Sequence, residues 1–324
     1  MAEAVFLIRH NLKKYIRKLT GSLPLMYNLG ISSVCNLRCS LCTRDNYEQQ
    51  GFADVEKLKI MIGEIPTYSI VVIVDLGETF LHTGAAEIFS ELKKRHIWVD
   101  VFTNGTIICE ALGNVLKNID RIRVSVDTVN ADRANILRRN LNLVQLKENL
   151  IKMRTIRDHV NIPVELSFAT TISSHNYMEL MDIVYFLAEV RFDSIFFNLQ
   201  EDWSPYGNNR EGLSEPKMAA TIKNELNGAI QFCHKHDIFT YQEPSVLFNG
   251  KDLYENCRWT VDEFLINWSG YMLPCCLRRD YRVFNLGNVY ADGSLSKTLS
   301  SDIVKNFHKS KRYNQICKNC NKYQ

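Results

Sequence analysis

From residue 25 onward the chain repeats one pattern: a short β-branched run, a turn, then a longer stretch with helical spacing. The clearest run is Ser69-Ile-Val-Val-Ile-Val-Asp75, apolar without alternation, the mark of a strand buried on both faces. Strands are expected at Leu25–Ile31, 69–75, Ile97–Phe102, Arg121–Val126, Pro163–Phe168 and Ser194–Asn198. Helices are expected at Val55–Ile65, 85–95, 107–117, 142–158 and 175–189, with a further helix at 215–236 and a last short strand at Ile238–Tyr241. Strands alternating with helices imply a parallel sheet with right-handed crossovers, because only that hand packs the helix back onto a twisted sheet. The fold class is therefore α/β.

In parallel α/β folds ligands bind at the carboxyl ends of the strands. Polar residues gather at those ends here. The second strand runs into Leu76-Gly77-Glu78-Thr79, the third into Thr103-Asn104-Gly105, the fourth into Ser125-Val126-Asp127. Thr170 and Thr171 end the fifth, and Asn198 and Gln200 end the sixth. Gly77 suits a close backbone approach to a ligand.

The first strand leads into Ser33-Val-Cys35-Asn-Leu-Arg-Cys39-Ser-Leu41-Cys42. The spacing C-x3-C-x2-C lets three thiolates converge, and soft thiolates select iron–sulfur clusters or zinc. Structural zinc usually takes four ligands in paired C-x2-C spacings. A four-iron cube held by three cysteines keeps one iron open for chemistry.

The C-terminal part changes character near residue 245. Cys257 is followed by a hairpin pattern through Phe264–Asn267 and Tyr271–Leu273, then Cys275 and Cys276, a helical stretch at 298–310 and Cys317-x2-Cys320. Cys257, Cys275, Cys317 and Cys320 form a complete four-cysteine set, and spacing alone allows either zinc or a saturated 4Fe–4S cluster. Cys276 is an alternative ligand, a hydrogen-donating thiol or a buried small residue. Cys109 and Cys233 fall in helices and read as core.

The cysteine triplet, with apolar Leu41 before its last member, resembles the signature of the radical S-adenosylmethionine (SAM) superfamily. The Gly77-Glu78 and Thr103-Asn104-Gly105 elements resemble that family's strand-end motifs, with Leu76 where the first glycine of the family's pair stands. The closing Gly270-x4-Cys275, Gly287-Asn288-Val289 and C-x2-C resemble a SPASM or twitch domain. The resemblance implies a partial (β/α)6 barrel followed by a small α+β unit with an auxiliary 4Fe–4S cluster. It implies that SAM binds the open iron of the Cys35, Cys39, Cys42 cluster and is cleaved to a 5′-deoxyadenosyl radical. Leu41, Gly77, Glu78, Thr79, Asn104, Ser125, Asp127, Thr170 and Asn198 are the expected cofactor contacts, Glu78 accepting from the methionine ammonium of SAM. The aminocyclitol dehydrogenase type shares this plan. The expected reaction is thus oxidation of a sugar- or aminocyclitol-like molecule, the auxiliary cluster taking the electron. Peptide modification and radical epimerisation are the alternatives. Arg278, beside the cluster cysteines, is an expected substrate contact, with Arg279 and Asp280 next to it, and Cys276 the candidate hydrogen donor.

Size and charge set the remaining bounds. The chain has 324 residues, enough for one large core and a small appendage. A net charge of +3 is too slight to argue for nucleic acid. Residues 3–20 read as a basic amphipathic helix, a cap on the barrel or a membrane-surface contact. No run approaches the ~20 apolar residues of a membrane span. The apolar run Val5–Ile8 is too short for a signal peptide. With seven of the ten cysteines in ligand-like spacings, a reduced, cytoplasmic metalloprotein is expected, supplied with electrons by a flavodoxin or ferredoxin. The expected division is 1–24, 25–244 and 245–324.

Overall fold

The computed structural model of the protein describes residues 26–44, 49–108, 112–200, 216–241, 263–276 and 278–310. The N-terminal helix, the polar loop 201–216 up to its final residue, Cys109, Cys257, Cys317 and Cys320 lie outside them.

The order is β1 (Met26–Leu29), β2 (Arg38–Cys39), α1 (Val55–Glu64), β3 (Ile70–Ile73), α2 (Ala85–Lys94), β4 (Trp98–Thr103), α3 (Leu112–Leu116) and β5 (Arg121–Ser125). It continues with α4 (Ala131–Leu137), β6 (Arg138–Arg139), α5 (Leu143–Val160), β7 (Glu165–Ile172), α6 (Leu180–Val190), β8 (Ser194–Leu199), α7 (Pro216–Lys235) and β9 (Phe239–Thr240). The hairpin β10 (Glu263–Ile266) and β11 (Met272–Leu273) follows, then α8 (Val289–Asp292), α9 (Leu295–Leu299) and α10 (Asp302–Ser310). Helix starts carry cap residues: the Asp54 side chain accepts from the Lys57 N–H, and that of Asn142 from the Gln145 N–H.

One nine-stranded sheet runs β11-β10-β1-β3-β4-β5-β7-β8-β9, parallel except for the β10–β11 pair. From β1 to β9 the order never reverses, so each crossover in that run adds its strand on the same side and the helices cover one face. That is barrel winding, and β9 and β11 at the two edges do not pair, which leaves the barrel open. The hairpin does not form a sheet of its own. It extends the barrel sheet at β1, with Met26 to Leu29 in register with Glu263 to Ile266.

Alternate residues divide the faces. Val71, Ile73, Val99, Val101, Ile122, Val124, Leu166 and Phe168 belong to one apolar core under the helices. The opposite face is charged at its base, where Asp100, Arg121 and Glu165 stand opposite one another across β4, β5 and β7. Arg121 pairs with both carboxylates, and Arg123 pairs with Asp100. The Arg123 guanidinium lies over the rings of Phe102, Phe196 and Tyr241. Among the described residues no helix is long and apolar enough to cross a membrane.

The short α4 and β6 were not expected. A seven-residue helix gives too few turns for a readable apolar stripe, although Asn130, whose side chain accepts from the Asp132 and Arg133 N–H groups, is a cap-type residue that marks its start.

Candidate active site

The cysteine loop is clamped on three sides. The Gly77 N–H donates to the Ser32 carbonyl at 3.1 Å and the Glu78 N–H to the Val34 carbonyl at 2.8 Å. Arg38 and Cys39 pair antiparallel with Arg139 and Arg138 of β6. A guanidinium nitrogen of Arg44, itself buried, donates to the Cys35 carbonyl at 3.0 Å. Gly77 is required by this docking: a Cβ there would stand 2.3 Å from the Ser32 carbonyl oxygen and 2.6 Å from that of Val34. Close approach of the cysteine loop is thus a reason for this glycine in addition to the expected approach to a ligand.

Cys35, Cys39 and Cys42 line a strand-end cavity of about 240 Å³. Burial pushes the Cys35 and Cys39 thiols up, and the mutual proximity of the three sulfurs adds to the rise. No three His, Cys, Asp or Glu side chains among the described residues are gathered around one ion position. The donor set, three thiolates at one cavity, fits a 4Fe–4S cube with one iron left open.

Leu41, Gly77, Glu78, Asn104, Ser125, Asp127 and Asn198 also line the cavity. Thr79 and Thr170 do not. The Thr79 hydroxyl donates to the Phe102 carbonyl at 2.8 Å and that of Thr170 to the Val126 carbonyl at 2.7 Å, so both bind neighbouring strands. Thr171 lines the cavity instead, since successive strand residues face opposite sides.

Glu78 is 1% exposed and faces its own neighbours. Its carboxylate accepts from the Thr103 hydroxyl at 2.6 Å, the Asn104 N–H at 2.7 Å and the Phe80 N–H at 3.1 Å. Burial still pushes its carboxyl up, against these three donors. A carboxylate has about four acceptor positions, so most of its capacity is spent fixing the Thr-Asn-Gly turn.

Asp127 is similarly engaged: one oxygen accepts from the Thr171 N–H at 2.8 Å and the other from Nε of Arg138 at 2.7 Å. Arg138 is the site residue that sequence reasoning missed. It is 8% exposed, lines the cavity and is placed there by β6 pairing with the cysteine loop. Burial works against its charge, but Asp127 and the nearby Cys39 and Cys35 sulfurs hold the guanidinium firmly protonated. Three buried polar atoms on lining residues, Thr43 Oγ1, Asp75 Oδ2 and Gln200 Oε1, have no hydrogen-bond partner among the described residues. Orphaned buried polar atoms cost free energy and point to a bound ligand.

The hairpin brings Cys275 and Cys276 to the same end. Cys275 and Cys276 are half-buried. Arg279 joins the two parts of the site: its Nε donates to the Cys276 carbonyl at 2.9 Å and a terminal nitrogen donates to Asp75 Oδ1 at 3.0 Å. Asp75 lines the cavity and ends the second barrel strand of the sequence pattern. Cys276 and Arg278 are not among the lining residues; Arg278 is buried, its guanidinium over the Phe284 ring.

The model of the radical SAM superfamily matches residues 29–200, and that of an iron–sulfur cluster-binding domain, SPASM, matches residues 257–321. A tungsten-containing aldehyde ferredoxin oxidoreductase cofactor-modifying protein of Pyrococcus furiosus is 23% identical over 85% of this chain and 79% of its own length. The antilisterial bacteriocin subtilosin biosynthesis protein AlbA of Bacillus subtilis is 24% identical over 87% of this chain, which spans 61% of AlbA. The crystal structure of Streptococcus suis SuiB bound to its precursor peptide SuiA aligns with a TM-score of 0.72 at 14% identity, covering 97% of this chain and 74% of SuiB.

Proposed function

The chain belongs to the radical SAM superfamily, in its SPASM subgroup, and from that premise we propose that it removes a hydrogen atom and then an electron and a proton from its substrate, a net two-electron oxidation. The observation that carries the site assignment is the one cavity lined by Cys35, Cys39 and Cys42 together with Arg138 and three orphaned polar atoms. When bound, a 4Fe–4S cluster and SAM supply reductive cleavage and a hydrogen-abstracting carbon radical.

The chain's own residues do the holding and orienting. Cys35, Cys39 and Cys42 would hold the cluster through three thiolates and leave one iron open. Arg138, its Nε fixed by Asp127, offers the terminal N–H groups of its fork to a carboxylate. Thr43 and Gln200 supply a hydroxyl and an amide oxygen for hydroxyl or amino groups of the bound cofactor. Leu41 supplies an apolar wall. The SPASM domain implies auxiliary iron–sulfur clusters, and Cys275 is the expected ligand within the described residues, delivered by the hairpin and steadied through Arg279.

A sugar- or aminocyclitol-like alcohol is the small-molecule form of this substrate. A peptide is the second form, favoured by the likeness to a subtilosin biosynthesis protein and to SuiB with its precursor peptide.

The test is anaerobic. Reconstituted enzyme with dithionite and SAM yields 5′-deoxyadenosine, and the Cys42→Ala enzyme yields none. Replacing Cys35, Cys39 and Cys42 together by alanine leaves about four irons per auxiliary cluster; no iron with one zinc removes the electron acceptor and sinks the oxidation. Alcohol and peptide panels are then read for a product two hydrogens lighter; a product of unchanged mass carrying deuterium from D2O means epimerisation.

A further inference from the structure

Asn104 occupies a position that the carboxylate of Glu78 builds for it. The backbone N–H of Asn104 donates to Glu78 Oε2 at 2.7 Å, and the neighbouring Thr103 hydroxyl holds Oε1 at 2.6 Å. Gly105, at φ +74°, turns the chain, and the Asn149 amide donates to the Gly105 and Thr106 carbonyls at 2.9 and 3.0 Å. The side chain is fixed as tightly as the backbone. Its Oδ1 accepts from the Thr106 N–H at 2.9 Å and from the Thr106 hydroxyl at 2.6 Å. A backbone N–H can only donate, so the oxygen must face Thr106 and the amide cannot be reversed. Nδ2 therefore points the other way. One contact is Asn36 Oδ1 at 2.9 Å and the other is the Cys35 sulfur at 3.7 Å.

Cys35 is singular in this respect. It receives the Leu37 N–H at 3.4 Å as well as the Asn104 amide, whereas no described N–H group donates to Cys39 or Cys42. Hydrogen bonds to ligand sulfurs set the reduction potential of an iron–sulfur cluster, because a donor stabilises the more negative, reduced state. We propose that Asn104 is a redox-positioning residue: its amide, aimed by Thr106 and anchored through Glu78, donates to the Cys35 thiolate and raises the potential of the cluster. The same turn thereby couples the Gly-Glu and Thr-Asn-Gly elements to the cysteine loop, and its effect on the cluster precedes any contact with SAM.

The inference rests on Cys35, Cys39 and Cys42 holding the cluster, a premise checked separately by wild-type iron content and SAM cleavage. The measurement is an EPR-monitored redox titration of the full reconstituted enzyme without SAM; the signal that changes when SAM is later added identifies this cluster. With Asn104→Ala, the ratio of reduced to oxidised cluster at a fixed potential falls about tenfold, which is ~59 mV for a one-electron couple. Asn104→Asp, which sets an anion against the sulfur, shifts it further in the same direction. Thr106→Val leaves the amide in place but removes the hydroxyl that aims it, and gives a smaller shift of the same sign. A wild-type potential in Asn104 variants with full iron content overturns the proposal, even if SAM cleavage falls, since that would mark a contact to SAM alone. If the Asn104 variants do not load iron, Thr106→Val decides: a negative shift supports the proposal and no shift overturns it.

Discussion

Arg279→Met tests how the hairpin is tied to the barrel. Arg279 and Asp75 form an ion pair at 3.0 Å with side chains only 5% and 6% exposed. The second oxygen of Asp75 has no hydrogen-bond partner among the described residues and stands 2.0 Å from where a Cβ on Gly30 would be, so glycine is required at position 30 to admit it. Removing the guanidinium leaves a buried carboxylate held only by backbone N–H groups, that of Leu76 at 2.9 Å among them, a loss of about 3–5 kcal/mol. Unfolding entropy of about 2.1 cal/mol/K per residue gives roughly 0.7 kcal/mol/K for the chain, so the melting temperature falls by roughly 4–7 °C. The pH dependence has a definite sign. Burial already pushes the Asp75 carboxyl up, against the lowering by Arg279. An acid that holds its proton more tightly folded than unfolded makes the fold lose stability as pH rises from the ordinary carboxylate value to the raised one. Removing Arg279 raises the folded value further and widens that window. The deficit of Arg279→Met is therefore larger at pH 8 than at pH 5.5. Adding Asp75→Asn removes the buried charge and recovers most of the loss together with its pH dependence. Differential scanning fluorimetry at the two pH values is the assay. A single variant as stable as wild type, or a double variant no better than the single, refutes the reasoning.

Arg138→Ala weakens SAM binding in an equilibrium titration about tenfold or more, for a charge-assisted hydrogen bond of roughly 1.5–3 kcal/mol, while Arg138→Lys keeps the charge but loses the fork and recovers only part. Gly77→Ala drives a Cβ against two carbonyl oxygens of the cysteine loop; backbone cannot yield as a side chain does, and iron content after reconstitution falls well below that of wild type. Thr171→Val lowers SAM affinity with little change in melting temperature. Thr170→Val does the reverse, since it removes a buried hydrogen bond to the Val126 carbonyl worth about 1 kcal/mol.

The contrast between the two threonines shows how far residue order alone carries. Strand residues alternate faces, so a reading that locates the end of β7 without its register cannot say which of two adjacent polar residues meets the cavity. The register is set by pairing with β5, where Ser125 stands opposite Ala169. The barrel was legible because each strand carries apolar residues on its helix-covered face and each long helix repeats its apolar stripe. The cysteine loop was legible because its ligand spacing is local. Arg138 was not, because its place depends on a two-residue pairing between β2 and β6, with a hundred residues between the partners. Gly77 and Glu78 were legible as site elements, and the structure gives each a second role that residue order does not show. Both stand at the cavity, yet one is small so that the cysteine loop can dock and the other is acidic so that the Thr-Asn-Gly turn can form. A motif at a strand end marks where chemistry gathers; which of its residues meets the ligand and which supports that contact follows only from the hydrogen bonds each side chain has already spent. By that measure Arg138, whose Nε alone is spent on Asp127, keeps donors for the cavity, and the Glu78 carboxylate is the support beneath the Thr-Asn-Gly turn.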